Sequence, residues 1–181
     1  MHRAGGSTTI RDETRSGATE REAQFVGLIG GQLEQNYRIA RLMLRNDTDA
    51  EDATQDAIAT AWQQWHRLRD LDRFDAWFGR ILMNRCRDRL RKAARARGIA
   101  ISRSNHVNSA ELETARRLDI GRAFEALNAD QRAVVVLRYW ADLTVEQIAV
   151  RVGVAAGTVK SRLHHALERL RVVLDTTEEG P

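Results

Sequence analysis

The only proline among these 181 residues is Pro181, so no ring-imposed helix break falls anywhere before it. Glycine is sparse outside turns, Ala, Leu and Arg dominate, and the period-two alternation of half-buried strands is missing throughout. Apolar residues recur three and four apart instead. The chain therefore reads as all-α.

The sharpest local pattern runs from Leu143 to Leu170. Val145, Ile148, Ala149 and Val152 make one apolar helix face, and Thr144 with Gln147 has the spacing of a capping box. Gly153 supplies a turn. In the next helix Val159, Leu163, Ala166, Leu167 and Leu170 form the buried stripe, while Thr158, Lys160, Ser161, Arg162, His165 and Arg169 occupy the opposite face. This is a helix-turn-helix whose second helix shows cations and hydrogen-bonding groups to an anion. Duplex DNA fits, because its major groove admits a helix. The alternative is a surface helix with ordinary solvated charge.

Charge is unevenly placed. Net charge is +4, yet Arg80–Arg103 holds nine Arg or Lys against the single acid Asp88, whereas Asp47–Asp56 holds five acids and no base. The asymmetry predicts a nucleic-acid surface and a separate acidic surface for another partner. No apolar run is long enough to span a membrane, and the N-terminus lacks the apolar segment of a signal peptide, so no membrane insertion is expected. Cys86 is the only cysteine; no internal disulfide can form, and a cytoplasmic location fits.

Periodicity divides the chain. Residues 1–19 read as a disordered tail. Residues 20–92 read as a three-helix bundle. Its first helix carries Phe25, Leu28, Ile29, Leu33, Tyr37, Ala40 and Leu44 on one side; its second is capped by Thr48 and Glu51, with Ala50, Ala53, Ala57, Ile58, Ala61, Trp62 and Trp65 forming its apolar face. The polar loop His66–Asp72 follows. Asp72 caps a third helix with Phe74, Trp77, Phe78, Ile81, Leu82 and Leu90 facing inward. Residues 93–115 lose the apolar period and read as a flexible linker, partly helical near its ends. Residues 116–175 form a second small domain: a helix with Ile120, Ala123, Phe124 and Leu127, another capped by Asn128 and Gln131 and running to Trp140, then the helix-turn-helix. Residues 176–181 read as a solvated tail.

Three further patterns carry chemistry. Arg80, Asn84, Arg87, Asp88 and Arg91 share one side of the third helix; Arg suits phosphates and Asn can read a base edge. The competing reading is a solvated face balanced by the acidic tract of another helix. In that tract Asp52, Gln55 and Asp56 share a face. Acids at a helix N-terminus complement its dipole, which accounts for Asp49, Glu51 and Asp52 but not for Gln55 and Asp56 a turn later. Among the aromatics, Trp62, Trp77 and Phe78 follow the apolar stripe and read as core; Trp65 and Phe74, beside the loop, are the candidates for edge exposure. Cys86 reads as a buried structural thiol. His164 and His165, being adjacent, are expected to diverge rather than chelate, and no metal or cofactor is expected. No catalytic constellation or phosphate loop is recognisable, so the chain does not read as an enzyme.

The order of DAEDATQDAIATAW (Asp49–Trp62), an aromatic and Arg-rich helix, and GTVKSRLHHALERLR (Gly157–Arg171) resembles the extracytoplasmic-function (ECF) group of bacterial sigma-70-type factors, over roughly Phe25–Leu174. The resemblance implies two domains, region 2 and region 4, that bind core RNA polymerase through its β′ clamp helices and β flap and direct initiation at promoter DNA. It gives Asp49, Glu51, Asp52, Gln55 and Asp56 to polymerase binding. Arg80, Asn84, Arg87, Asp88 and Arg91 go to the −10 element. The loop His66–Asp72 goes to capture of a flipped base, with Arg67, Arg69, Asp70 and Trp65 as candidates for its polar edges and stacking wall. Thr158, Lys160, Ser161, Arg162, His165 and Arg169 go to the −35 element. An anti-sigma partner is usual for the family. The chain departs from the family at Leu127-Asn128, where Leu-Pro is common, and at Val154-Ala155-Ala156, where a Ser often caps the recognition helix and whose absence predicts an end that frays or depends on DNA contact. The alternative function is a helix-turn-helix regulator that binds operator DNA without acting as a sigma factor; a third is a helical adaptor.

Overall fold

The computed structural model describes residues 8–99 and 123–178, and every regular element among them is helical. Helix α1 spans Thr8–Leu44, α2 Asp47–Gln64 and α3 Phe74–Ile99; α4 spans Ala129–Tyr139, α5 Val145–Val152 and α6 Ala156–Glu178. Helices α1, α2 and α3 pack on one another as a bundle, and α4, α5 and α6 form a second unit preceded by helical residues 123–125.

Several helix ends differ from the expected ones. Helix α1 starts at Thr8, inside the stretch read as a disordered tail. That stretch lacks an apolar face but is rich in Glu and Arg, and extending a helix already nucleated on a core costs little. Asn46, not Thr48, caps α2 by accepting from the Asp49 N–H at 2.9 Å. Asp70, not Asp72, caps the turn before α3, and the loop is built from two 3₁₀ turns, Trp65–Arg67 and Leu71–Arg73. Helix α3 continues to Ile99, and α6 to Glu178, into the stretch read as tail. The rest of the linker, Ile120, residues 1–7 and residues 179–181 lie outside the described residues.

The second unit follows its sequence signals closely. Asn128 and Gln131 form a capping box on α4, Thr144 and Gln147 another on α5, and Gly153 ends α5 at φ +73°, where a side chain would be strained. The Val154-Ala155-Ala156 junction is held by backbone: the Thr158 N–H donates to the Ala155 carbonyl at 2.9 Å.

Helix α4 has a run of five apolar residues, Ala133–Leu137, all buried. A helix that is apolar all round needs cover on every side. The other two helices of its unit supply part of it, and α1 and α3 supply the rest. The apolar core accordingly continues from Phe25 in α1 to Ala166 in α6.

Candidate nucleic-acid interface

In the helix-turn-helix, Val159 and Ala166 are buried and Leu163 and Leu170 partly so, as the apolar stripe requires. Leu167, expected in that stripe, is exposed instead. Thr158, Lys160, Ser161 and His165 are exposed on the opposite side. Arg169 is exposed but donates to the Ala126 carbonyl at 3.1 Å. Arg162 is only partly exposed, turned back to within 3.7 Å of Asp130. His164 and His165 do not diverge as adjacency suggested. Glu168, four residues after one and three after the other, lies 3.3 Å from both rings.

On α3, Arg80, Asn84, Asp88 and Arg91 are exposed and share a side. Arg87 departs from expectation. It is buried, bonded to the Asp130 carboxylate and donating to the Val152 carbonyl at 3.2 Å. Arg91 reaches the same carboxylate at 3.1 Å. An open pocket of about 430 Å³ lies between α2 and α3, lined by Thr60, Gln64, Trp77, Arg80, Asn84 and Arg85 among others. Its lining combines an indole, two amides, a hydroxyl and two guanidinium groups.

The loop supplies no aromatic wall of the kind expected. Trp65 and Phe74 are buried, at 6% and 1% exposure, and Trp62, read as core, is 46% exposed. The α2 register explains the exchange: small Ala50, Ala53, Ala57 and Ala61 face the bundle, leaving Trp62 at its rim against Phe25, while Trp65 turns in one residue past the helix end. Arg67, Arg69 and Asp70 are exposed, with Asp70 bonded to Arg73 at 3.1 Å.

Asp49, Glu51, Asp52, Gln55 and Asp56 are all exposed on α2. The charge balance expected from another helix does exist, but through a residue outside the α3 face singled out in the sequence. Arg89 lies 3.6 Å from Asp49, 3.5 Å from Asp52 and 2.9 Å from Asp56. The carboxylates stay more than half exposed, so the cluster remains an acidic surface with one cation at its edge. Cys86 is fully buried, and burial pushes its thiol up to about 12 despite nearby Arg89.

Comparison with known proteins agrees with this layout. The Sigma-70 region 2 family profile matches residues 32–96, and the Sigma-70 region 4 profile matches residues 117–170. The chain is similar to the RNA polymerase sigma-E factor of Streptomyces coelicolor, at 35% identity over 136 residues, 74% of this chain and 76% of that one. It is also similar to the ECF RNA polymerase sigma factor SigM of Mycobacterium tuberculosis, at 38% identity over 152 residues, 81% and 74% of the two chains. Among solved structures it resembles the sigma factor RpoE of Bartonella quintana in complex with the anti-sigma factor NepR (TM-score 0.67, 26% identity, 84% of this chain and 97% of that one). It also resembles CnrH in complex with the cytosolic domain of CnrY (TM-score 0.62, 28% identity, 86% and 90%). The bundle and the helix-turn-helix, in this order, define a sigma-70-type factor. Within that class the chain belongs to the ECF group of RNA polymerase sigma factors.

Proposed function

We propose that this sigma factor binds core RNA polymerase through the exposed face of α2 and reads a promoter with two separate surfaces. Asp49, Glu51, Asp52, Gln55 and Asp56 meet the β′ clamp helices, and the second unit meets the β flap. Arg80, Asn84, Arg87, Asp88 and Arg91, with loop residues Arg67 and Arg69, engage the −10 region. Thr158, Lys160, Ser161, Arg162, His165 and Arg169 engage the −35 element. The domains are residues 20–92 and 116–175, joined by residues 93–115. The factor carries no catalytic role of its own and works in the cytoplasm; among the described residues no helix is long and apolar enough to cross a membrane. An anti-sigma protein is its expected inhibitor, as one of the two resembling structures holds such a partner.

One observation carries this reading: the exposed basic surfaces lie on two units matched by two sigma regions, with an exposed acidic face on a third surface. Two modest DNA surfaces gain avidity only when a scaffold fixes their spacing, and polymerase is that scaffold. An operator-binding regulator needs no acidic face of this kind. Co-elution with purified core polymerase on gel filtration tests the assignment. The wild-type chain should co-elute and the Asp52→Arg, Asp56→Arg chain should not, with its circular dichroism unchanged. Equal co-elution would remove α2 from the interface.

A further inference from the structure

The outer face of α6 gathers three side chains that can ligate a metal. The Glu168 carboxylate lies between two imidazoles: Oε1 is 3.3 Å from His164 Nε2, and Oε2 is 3.3 Å from His165 Nδ1. Adjacent histidines leave a helix roughly 100° apart, but Glu168 falls in the arc between them, about 40° from one and about 60° from the other. The two rings turn toward it, with centroids 5.5 Å apart. Val159 is buried, and Glu168 lies about 180° round the helix from it, at the centre of the outward side.

Imidazole nitrogen and carboxylate oxygen are the usual donors to late first-row divalent ions. Ligand atoms about 2.1 Å from a tetrahedral ion stand about 3.4 Å from one another. Both nitrogen–oxygen separations are already close to that value. One ligand atom from each of the three residues lies within 4.8 Å of the other two. All three side chains are more than half exposed, so the small rotations that close the set meet no packing. A single His–Glu pair one turn apart is ordinary helix-surface chemistry; two imidazoles converging on one carboxylate form a chelate. His165 and Glu168 also line an open groove of about 730 Å³ beside Asn128, Gln131 and Arg169. An ion held by three protein ligands there has room for a fourth from outside.

We propose that His164, His165 and Glu168 bind one late first-row divalent ion of the imidazole-preferring class, such as Zn²⁺, and that the bound ion adds a phosphate contact to the −35 surface. The ion site stands on its own geometry; its effect on DNA rests on the assignment of α6 to the −35 element. Without the ion, Glu168 sets a negative charge beside the exposed DNA-facing residues Ser161 and His165. A divalent ion on two neutral imidazoles turns that local charge from one negative to one positive. His165 then reaches DNA through the ion, whose open position suits a phosphate oxygen.

Isothermal titration calorimetry of the full, untagged chain with Zn²⁺ should show one ion per chain. His164→Gln and Glu168→Gln, both at exposed positions, should each weaken binding by about tenfold or more with circular dichroism unchanged. Mg²⁺, which prefers oxygen ligands, should not bind. No saturable uptake of Zn²⁺, equal uptake by the wild-type chain and both variants, or equal uptake of Mg²⁺ overturns the site. The DNA half is tested by promoter affinity of reconstituted polymerase in buffered Zn²⁺ across a salt series, with the wild-type or the His164→Gln chain. Polymerase's own response to zinc is common to both, so the difference belongs to α6. The wild type should bind more tightly, with a slope of log affinity against log salt steeper by roughly one. Equal affinities and slopes, with zinc bound to the chain, overturn the ion's part in DNA binding. Lys160→Ala in the same series then separates the two assignments. A reduced slope keeps α6 on DNA and removes only the ion; an unchanged slope takes the −35 assignment down with it.

Discussion

The Trp65 indole Nε1 donates to the Arg21 carbonyl at 3.2 Å, tying the end of α2 to an early turn of α1. The ring also packs edge-on to Phe25 and Phe74, at 5.3 and 5.8 Å. Trp65 is therefore a support of the bundle rather than a stacking platform. Trp65→Ala should cost about 3–5 kcal/mol in urea unfolding, the range for buried aromatics. Trp62→Ala, at the rim, should cost clearly less. Equal losses would mean that the two rings are buried alike.

Cys86 should be inert in the native chain. Its thiol is buried and its pKa is raised to about 12, so the nucleophilic thiolate is scarce at neutral pH. Ellman's reagent should react with it only after denaturant is added. Rapid reaction in buffer would place Cys86 at the surface.

The −35 assignment predicts a measurable salt dependence. Lys160→Ala or Arg162→Ala, in polymerase bound at a promoter, should weaken binding and reduce the slope of log affinity against log salt by roughly one per phosphate contact removed. An unchanged slope for both would take α6 out of the groove.

Much of this was legible in the sequence because it rests on local rules. The capping boxes at Asn128 and Thr144, the αL turn at Gly153 and the apolar stripe of Val159 and Ala166 need only nearby residues. What escaped depends on distant partners. Nothing near Arg87 in sequence announces Asp130, and nothing near Arg89 announces Asp56. Two signals of such partners do lie in the sequence: Gly79 inside an otherwise strong helix, and the Ala133–Leu137 run, too apolar for one-sided burial. Both mark the packing of one unit against the other. The exchange of Trp62 and Trp65 arose because periodicity says which residues share a face, not where a helix ends.

The contact between the two units at Asp130 should persist through mild acid. Burial alone would raise the Asp130 carboxyl, but Arg87, Arg162 and Arg91 outweigh it and hold it below its ordinary 3.8. A carboxyl lowered by folding contributes stability that is complete above its unfolded value and fades as pH falls through the lowered one. The radius of gyration should therefore match at about pH 7 and about pH 5, and rise only below about pH 4. Separation of the units between the first two values would assign the contact's pH dependence to another group.

Promoter melting separates a sigma factor from a regulator. Replacing His66–Asp72 with a Gly/Ser segment should spare polymerase binding and abolish permanganate reactivity of thymines near −10, because unstacking a base costs a few kcal/mol that the loop must return. Wild-type reactivity would move base capture elsewhere, the pocket beside Trp77, Arg80 and Asn84 being the next site to vary.

Run-off transcription from purified core polymerase, with and without this chain, bears most directly on the whole account. On a promoter drawn from the genome of origin by selection with the reconstituted holoenzyme, transcripts of defined length should appear only when the chain is present. They should vanish with Asp52→Arg, Asp56→Arg. Transcription that is the same without the chain, or promoter binding by the chain alone with no effect on polymerase, would contradict it.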